Sequence, residues 1–417
     1  MKPISEIFKE GAKELSWLKG EYGEVHATPS GPNSKDKEYQ RTICSVMLLW
    51  YVLANMYEKF CECQPEGTRI SRNSFNRIRK YVKSVLKTED DENAMAIFLV
   101  INDIGKVEGF VKDVAEKLGF KDVDHDIVMY EGLRNYPELS SSFAALYKRY
   151  QDMILEGMGA FFNFGQFVQA ECLPGSLTRI KNISQAAYDW YMIHVLFDIA
   201  GAAGHVNPNG SLVFTEIYTK RFFWAKEALD ALREDKVNEQ GAYMMYLQNT
   251  AKLFNMGVSY YNLRTYAVAR LLNLFLVNTE EDAKKVEKAF LALPYNMRMD
   301  LEGEMSRSGM GGDLGVLLYY LPSTLTAALG FYKKEDPKNA IETTMFTILP
   351  FVLKLYQLVR VMTAATEGVV VADITDVVEV AKTPEKIHDV KWSFVPVKND
   401  YVVKAGEVSN ACLTFRA

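Results

Sequence analysis

Apolar residues recur three and four positions apart through most of the chain, the spacing that gathers them on one side of a helix. Helices are predicted over residues 4–18, 36–63, 72–87, 92–103, 107–118, 124–134, 139–157, 179–201, 215–234, 243–277, 279–293, 314–332 and 338–366. The broadest stripe runs from Tyr243 to Val277 and carries Tyr246, Leu253, Tyr260, Leu263 and Leu271 on or near one side. Turn-forming residues punctuate the pattern at Pro29-Ser30-Gly31-Pro32, Pro174-Gly175, Asn207-Pro208-Asn209-Gly210 and Asp336-Pro337. After residue 367 the period shortens, and β-branched or aromatic runs at Val369–Val371, Val377–Val380, Val390–Val395 and Tyr401–Val403 predict two hairpins. The pattern therefore defines an all-α protein with a small C-terminal β appendage. Its expected parts are a helical domain over residues 1–210, a further helical region packed on it over 211–366, and a β-rich tail over 367–417.

A composition of 48% hydrophobic and 24% charged residues excludes a disordered chain. The net charge of −5 argues against a broad nucleic-acid footprint, which needs excess Lys and Arg. Five cysteines make an odd count, and Cys61-Glu62-Cys63 lacks the two-residue gap of a redox pair or zinc knuckle, so a reducing, cytoplasmic setting is expected. The first residues mix charges with apolar side chains and contain no unbroken signal-peptide stretch. Of three apolar runs, Ile43–Tyr57 is too short to span a bilayer, and Thr343–Met362 holds Lys354 and Arg360. Leu314–Tyr332 has the length but carries Pro322 near its centre, so all three read as buried helices and no membrane partner is expected.

Candidate chemistry falls between residues 98 and 205. Asn102-Asp103-Ile104-Gly105-Lys106 places an amide, a carboxylate and an amine at the end of the apolar helix Phe98–Ile101. The same residues also suit a plain helix terminus, with Gly near the C-cap and Lys favouring the dipole. Asp124-His125-Asp126 sets a His between two acids, which serves either as a metal ligand with an orienting carboxylate or as a helix start. His194 and Asp198 are four apart and share a helix face, to which His205 nearly returns if the helix continues, although His194 on so apolar a stretch also fits a core position. Imidazole nitrogens with carboxylate oxygens suit a divalent metal, with zinc, iron, manganese or magnesium as candidates. Ser306-Arg307-Ser308-Gly309-Met310-Gly311-Gly312 is a Gly-rich turn able to hold an anion but lacking a P-loop ending, and reads better as a mobile interhelical turn. Phe161-Phe162-Asn163-Phe164-Gly165-Gln166-Phe167 is either core packing or a Gly-hinged lid.

On Asp103-Ile104-Gly105-Lys106 and Asp124-His125-Asp126, residues 92–205 resemble the HD-domain superfamily of helical metal-dependent phosphohydrolases. The resemblance implies an HD-like helical core and hydrolysis of a phosphate ester in a nucleotide or small phosphorylated metabolite. It makes Asp103 and Lys106 the catalytic residues, with Lys106 facing phosphate, and Asn102, Asp103, His125, His194 and Asp198 the metal positions. Asn102 stands where the family's metal-binding His belongs, and no His precedes it at the usual distance. An amide oxygen suits a harder ion, so the resemblance also admits a non-catalytic ligand-binding or interaction protein, or a diiron oxygenase of related fold. A homo-oligomer is left open.

Overall fold

The computed structural model describes residues 37–106, 108–120, 125–256, 263–397, 400–405 and 413–415. The helix expected over 4–18, His26, the Pro29–Pro32 turn, Asp124, Tyr260 and Cys412 lie outside the described residues. The fold is mainly helical with a small C-terminal sheet, and the chain forms two compact units. Unit 1 comprises the described residues up to Phe162 together with Asn182–Phe223, and unit 2 comprises Asn163–Lys181 and the chain from Trp224 onward. The pattern suggests a division near residues 207–214, whereas these units part after Phe223 and the short Asn163–Lys181 segment belongs to the later one.

Unit 1 is built on helices α1 (Lys37–Leu53), α2 (Arg72–Val85), α3 (Glu89–Ile101), α4 (Glu108–Leu118), α5 (His125–Asn135), α6 (Lys148–Gly159) and α7 (Gln185–Gly201). Thr88 and Asp91 form a reciprocal capping box that starts α3, and four acids in its first turn complement the helix dipole. Every residue from Ala94 to Ile101 is buried, so α3 is a central helix surrounded by others. Ser184 caps α7, which is buried on nearly all sides, and α7 packs extensively on α1. That packing depends on glycine: a Cβ at Gly201 would stand 2.1 Å from Ser45 Oγ, and one at Gly204 2.5 Å from Cys44 Cβ. The predicted helix 139–157 resolves into a single turn at Ser141–Ala144 followed by α6, and 179–201 breaks at Asn182–Ser184.

After α8 (Glu216–Arg233), within which the division falls, come α9 (Glu239–Leu253), α10 (Leu263–Leu274), α11 (Glu280–Ala292) and α12 (Tyr295–Ser306). The stripe from Tyr243 to Val277 is thus carried by two helices, and α12 has no counterpart in the periodicity. The run expected to form one helix over 314–332 instead begins as β1 (Leu314–Tyr319) and turns at Tyr320, whose φ is 77°, into α13 (Leu321–Glu335). Pro322 explains the break, because a proline sits well in a first helical turn and poorly in a helix interior. α14 (Ala340–Met362) and β2 (Gly368–Asp373) follow, then α15 (Thr375–Ala381) where Val377–Val380 had suggested a strand. Val377 and Ala381, four apart, are the buried pair of that helix. β3 (Trp392–Val397), β4 (Asp400–Ala405) and β5 (Leu413–Phe415) complete the sheet.

The strand order is β1-β2-β4-β3-β5, with β1, β2 and β4 parallel and β3 antiparallel to both its neighbours. The sheet is thus more than a pair of hairpins, since its first strand arises before α13 and α14. Among the described residues α14 is the one helix long and apolar enough to cross a membrane. Its Thr344, Met345, Ile348, Val352, Leu355, Tyr356 and Val359 recur at helical spacing inside unit 2.

Candidate functional site

The candidate residues of unit 1 meet where α3 ends. Its last helical residue is Ile101, Asn102 is the C-cap, and Ile104–Lys106 forms a single 3₁₀ turn. That turn is pressed against the start of α5, because a Cβ at Gly105 would lie 2.0 Å from the His125 carbonyl oxygen. Only glycine permits this approach, so the Ile104-Gly105-Lys106 motif has a packing cause independent of any chemistry.

Asp103 is buried, and Lys106 Nζ stands 2.7 Å from its Oδ1. The same ammonium lies 3.4 Å from Oε2 of Glu38, on the first turn of α1. Arg41, one turn further, donates from a terminal guanidinium nitrogen to both Glu38 oxygens at 3.0 and 3.1 Å. From α7, Asp198 Oδ1 accepts the Asn102 side-chain amide at 3.2 Å. Three helices therefore deliver three carboxylates, two cations and an amide to one cluster.

Burial alone would raise the Asp103 carboxyl, but its hydrogen bond with Glu38 and the Lys106 charge hold it below the usual range. Glu38 is raised by burial and by its hydrogen bond to Asp103 and the charge there, with Arg41 and Lys106 opposing. Asp198 is pushed up to about 7, by burial first and the Asp103 charge second. The cluster thus holds more carboxylates than its cations neutralise and sheds part of that excess as bound protons.

His194 lies one turn before Asp198 on α7 and is buried. Its ring stacks on Phe98 with centroids 3.8 Å apart, and among the described residues neither ring nitrogen has a hydrogen-bond partner. Burial drives its pKa down to about 3, against the pull of Asp103, so the imidazole is neutral. A buried polar atom left unpaired costs roughly 1–3 kcal/mol, which makes His194 an expensive core residue.

The sequence-derived metal set does not assemble as drawn. Asn102, Asp103 and Asp198 come together with His194 nearby, but the His125 side chain lies at the start of α5 with Nε2 3.2 Å from Asp126. His205 misses the shared face because α7 ends at Gly201. Among the described residues no group of three His, Cys, Asp or Glu side chains is placed to hold a metal ion. The donors that do converge are engaged by the Lys106 ammonium and the Asn102 amide, so they do not fit a divalent metal in this arrangement. Sequence reasoning missed Glu38 and Arg41, whose only signal is a pair of charges three apart at the head of an apolar helix, an ordinary surface pattern.

The remaining candidates separate. In unit 2, Phe167 packs on Tyr243 and Tyr246 with centroids 5.9 and 5.1 Å away, while in unit 1 Phe161 packs edge-on against Tyr130, so the aromatic run serves packing in both. The Gly-rich turn precedes β1 rather than a helix, and Arg307 lies 4.0 Å from Glu304.

The chain belongs to a family of unknown function, DUF6829, whose model matches residues 30–389. No curated protein and no solved structure matches it.

Proposed function

We propose that unit 1 is a non-catalytic binding module, a diverged HD-like scaffold whose Asp103–Asp198 cluster takes a small polar ligand. The observation that carries this reading is the Lys106 ammonium, 2.7 Å from Asp103 and 3.4 Å from Glu38. A built-in cation there does for the carboxylates what a metal would otherwise do. The unpaired nitrogens of His194 supply the recognition element, one donor and one acceptor beside the stacked Phe98 ring. A cytoplasmic setting is supported by Cys44, Cys61, Cys63 and Cys172, all free thiols.

Metal-assisted hydrolysis of a phosphate ester is the second reading, favoured by the convergence of Glu38, Asp103 and Asp198. It requires a divalent ion to displace the Lys106 ammonium. One experiment decides between the two: metal content of the purified chain after manganese, iron, zinc or magnesium supplementation, with a phosphomonoester and nucleotide screen of wild type and Asp103→Ala. Stoichiometric metal together with phosphate release lost in Asp103→Ala would overturn the binding reading.

A further inference from the structure

Glu171 is a buried residue of the 163–181 segment of unit 2, and its side chain reaches the start of α13. Tyr320, the N-cap of that helix, stands in a left-handed conformation and makes no side-chain capping bond of its own. Glu171 takes the role from 149 residues away, its carboxyl accepting the Tyr320 and Leu321 backbone N–H groups.

No cation pairs with this carboxyl. Arg270 on α10 faces it, but the guanidinium donates to the main-chain carbonyls of Ala170, Glu171 and Met305 instead. Among the described residues no Lys, Arg or His forms an ion pair with Glu171. The other titratable groups around it are Tyr243 on α9, Tyr356 on α14 and the adjacent Cys172, all raised by burial and therefore neutral. A buried carboxyl without an ion pair favours its uncharged form. Burial accordingly pushes Glu171 up to about 7, with the Tyr320 and Leu321 N–H groups and the Arg270 charge opposing.

The residues that follow Glu171 form the wall of a cleft. Pro174–Leu177 lines a space of about 400 Å³ together with the Gly-rich turn before β1 and the start of β2. The Gly175 N–H donates to the Ser308 carbonyl at 2.8 Å, and a Cβ at Gly315 would stand 2.7 Å from Leu173 Cδ1. The Gly-rich turn, expected to be a mobile connector, is tied to itself, because the Asp313 carboxylate accepts from the Ser308 N–H at 3.1 Å and from its hydroxyl at 2.7 Å. Glu171 therefore fastens one wall of the cleft to the β1–α13 turn.

We propose that the Glu171 carboxyl is a proton-controlled latch, which holds residues 171–177 against the β1–α13 turn while neutral and releases them, opening the cleft, when its proton passes to water. Release lets the charged carboxylate hydrate. Closure is strongest below about pH 4.5, the ordinary carboxyl range, and weakens as pH rises toward 7. The latch lies wholly in unit 2 and is independent of the reading given for unit 1.

The test is hydrogen exchange of the full chain between pH 5 and 8.5, read by mass spectrometry and corrected for the intrinsic pH dependence of exchange. Peptides covering 172–178 and 316–325 report the latch, and a peptide from α11 in the same unit is the reference. In wild type, opening at the two latch peptides should increase about tenfold per pH unit up to pH 6.5 and level off above 7, relative to the reference. Glu171→Gln keeps an acceptor for the Tyr320 N–H but cannot ionise, so its opening should not change with pH. A wild-type profile that is flat, or that the α11 peptide shares, would overturn the proposal whether or not the variant folds. The same rise in Glu171→Gln would overturn it as well.

Discussion

The Lys106 ammonium bridges Asp103 on its own turn and Glu38 on α1, at 2.7 and 3.4 Å, and so joins the end of α3 to a helix more than sixty residues earlier in the chain. Removing it leaves Asp103, a buried carboxylate, without its nearest cation. Lys106→Met is expected to destabilise unit 1 by about 1–3 kcal/mol, the range for losing a hydrogen bond to a charged group, read from chemical denaturation. Manganese should raise the melting temperature of Lys106→Met but not of wild type, because only the variant frees the carboxylates.

His194 and Asp198 produce opposing pH dependences. His194 titrates near 3 when folded against 6.5 when unfolded, so the unfolded chain holds the extra proton between those values, and the stability due to His194 falls as pH drops through that window. Asp198 titrates near 7 when folded against 3.8 when unfolded, so the folded chain holds the extra proton, and its contribution falls as pH rises from about 4 to 7. Each slope is about 1.4 kcal/mol per pH unit, and between roughly pH 4 and 6.5 they cancel. Glu171 of unit 2, also pushed up to about 7 by burial, adds a slope of Asp198's sign, so wild-type stability, read from denaturation midpoints, should fall as pH rises across that window. Relative to wild type, His194→Leu should lose stability with rising pH, and Asp198→Asn should lose it with falling pH.

His194→Leu also removes two buried nitrogens without hydrogen bonds. At pH 7 it is expected to stabilise the protein by about 1 kcal/mol, since burying an unpaired polar group costs at least that much. The same variant should lose ligand binding at the cluster. Stabilisation with unchanged binding would make His194 a core residue only.

Gly105→Ala inserts a methyl group 2.0 Å from the His125 carbonyl, a distance that backbone must move to relieve. Overpacking of this kind costs about 1–3 kcal/mol or more. The loss should appear in thermal unfolding with no dependence on added metal.

Arg270 lies fully buried on α10 and donates to the carbonyls of Ala170, Glu171 and Met305 at 2.8, 3.1 and 3.2 Å. Arg270→Met takes the guanidinium from the Glu171 and Met305 carbonyls in the core of unit 2, while the Ala170 carbonyl keeps the Tyr243 hydroxyl at 3.0 Å. A loss of about 3–5 kcal/mol is expected, measurable as a lowered unfolding midpoint and faster proteolysis within residues 163–181.

The helical class, the existence of α3 and the β character of residues 369–371 and 392–395 were legible from apolar spacing, because each depends on local periodicity and flanking turns. Residues 314–319 were not, since a short apolar run has the same composition in a buried strand as in a buried helix, and its partner β2 lies some fifty residues away. The Asn102–Lys106 segment was legible as a place where charge meets a buried helix, and Asp198 joins it there. Glu38 and Arg41 were not legible, because a helix start with an ion pair looks the same whether it faces solvent or a cluster. His125 misled for a related reason: sequence proximity to acids shows that partners exist, while backbone packing at Gly105 decides where the ring goes.

Unit 1 takes α7 from beyond the Asn163–Lys181 segment that belongs to unit 2. During synthesis α1 to α6 therefore leave the ribosome without the partner on which α1 packs most heavily. Residues 163–181 emerge next and wait still longer for the chain that will receive them. Neither half can finish in simple vectorial order, so the α1 and α3 surfaces that α7 covers in the folded unit stay uncovered until the chain beyond residue 182 has been made.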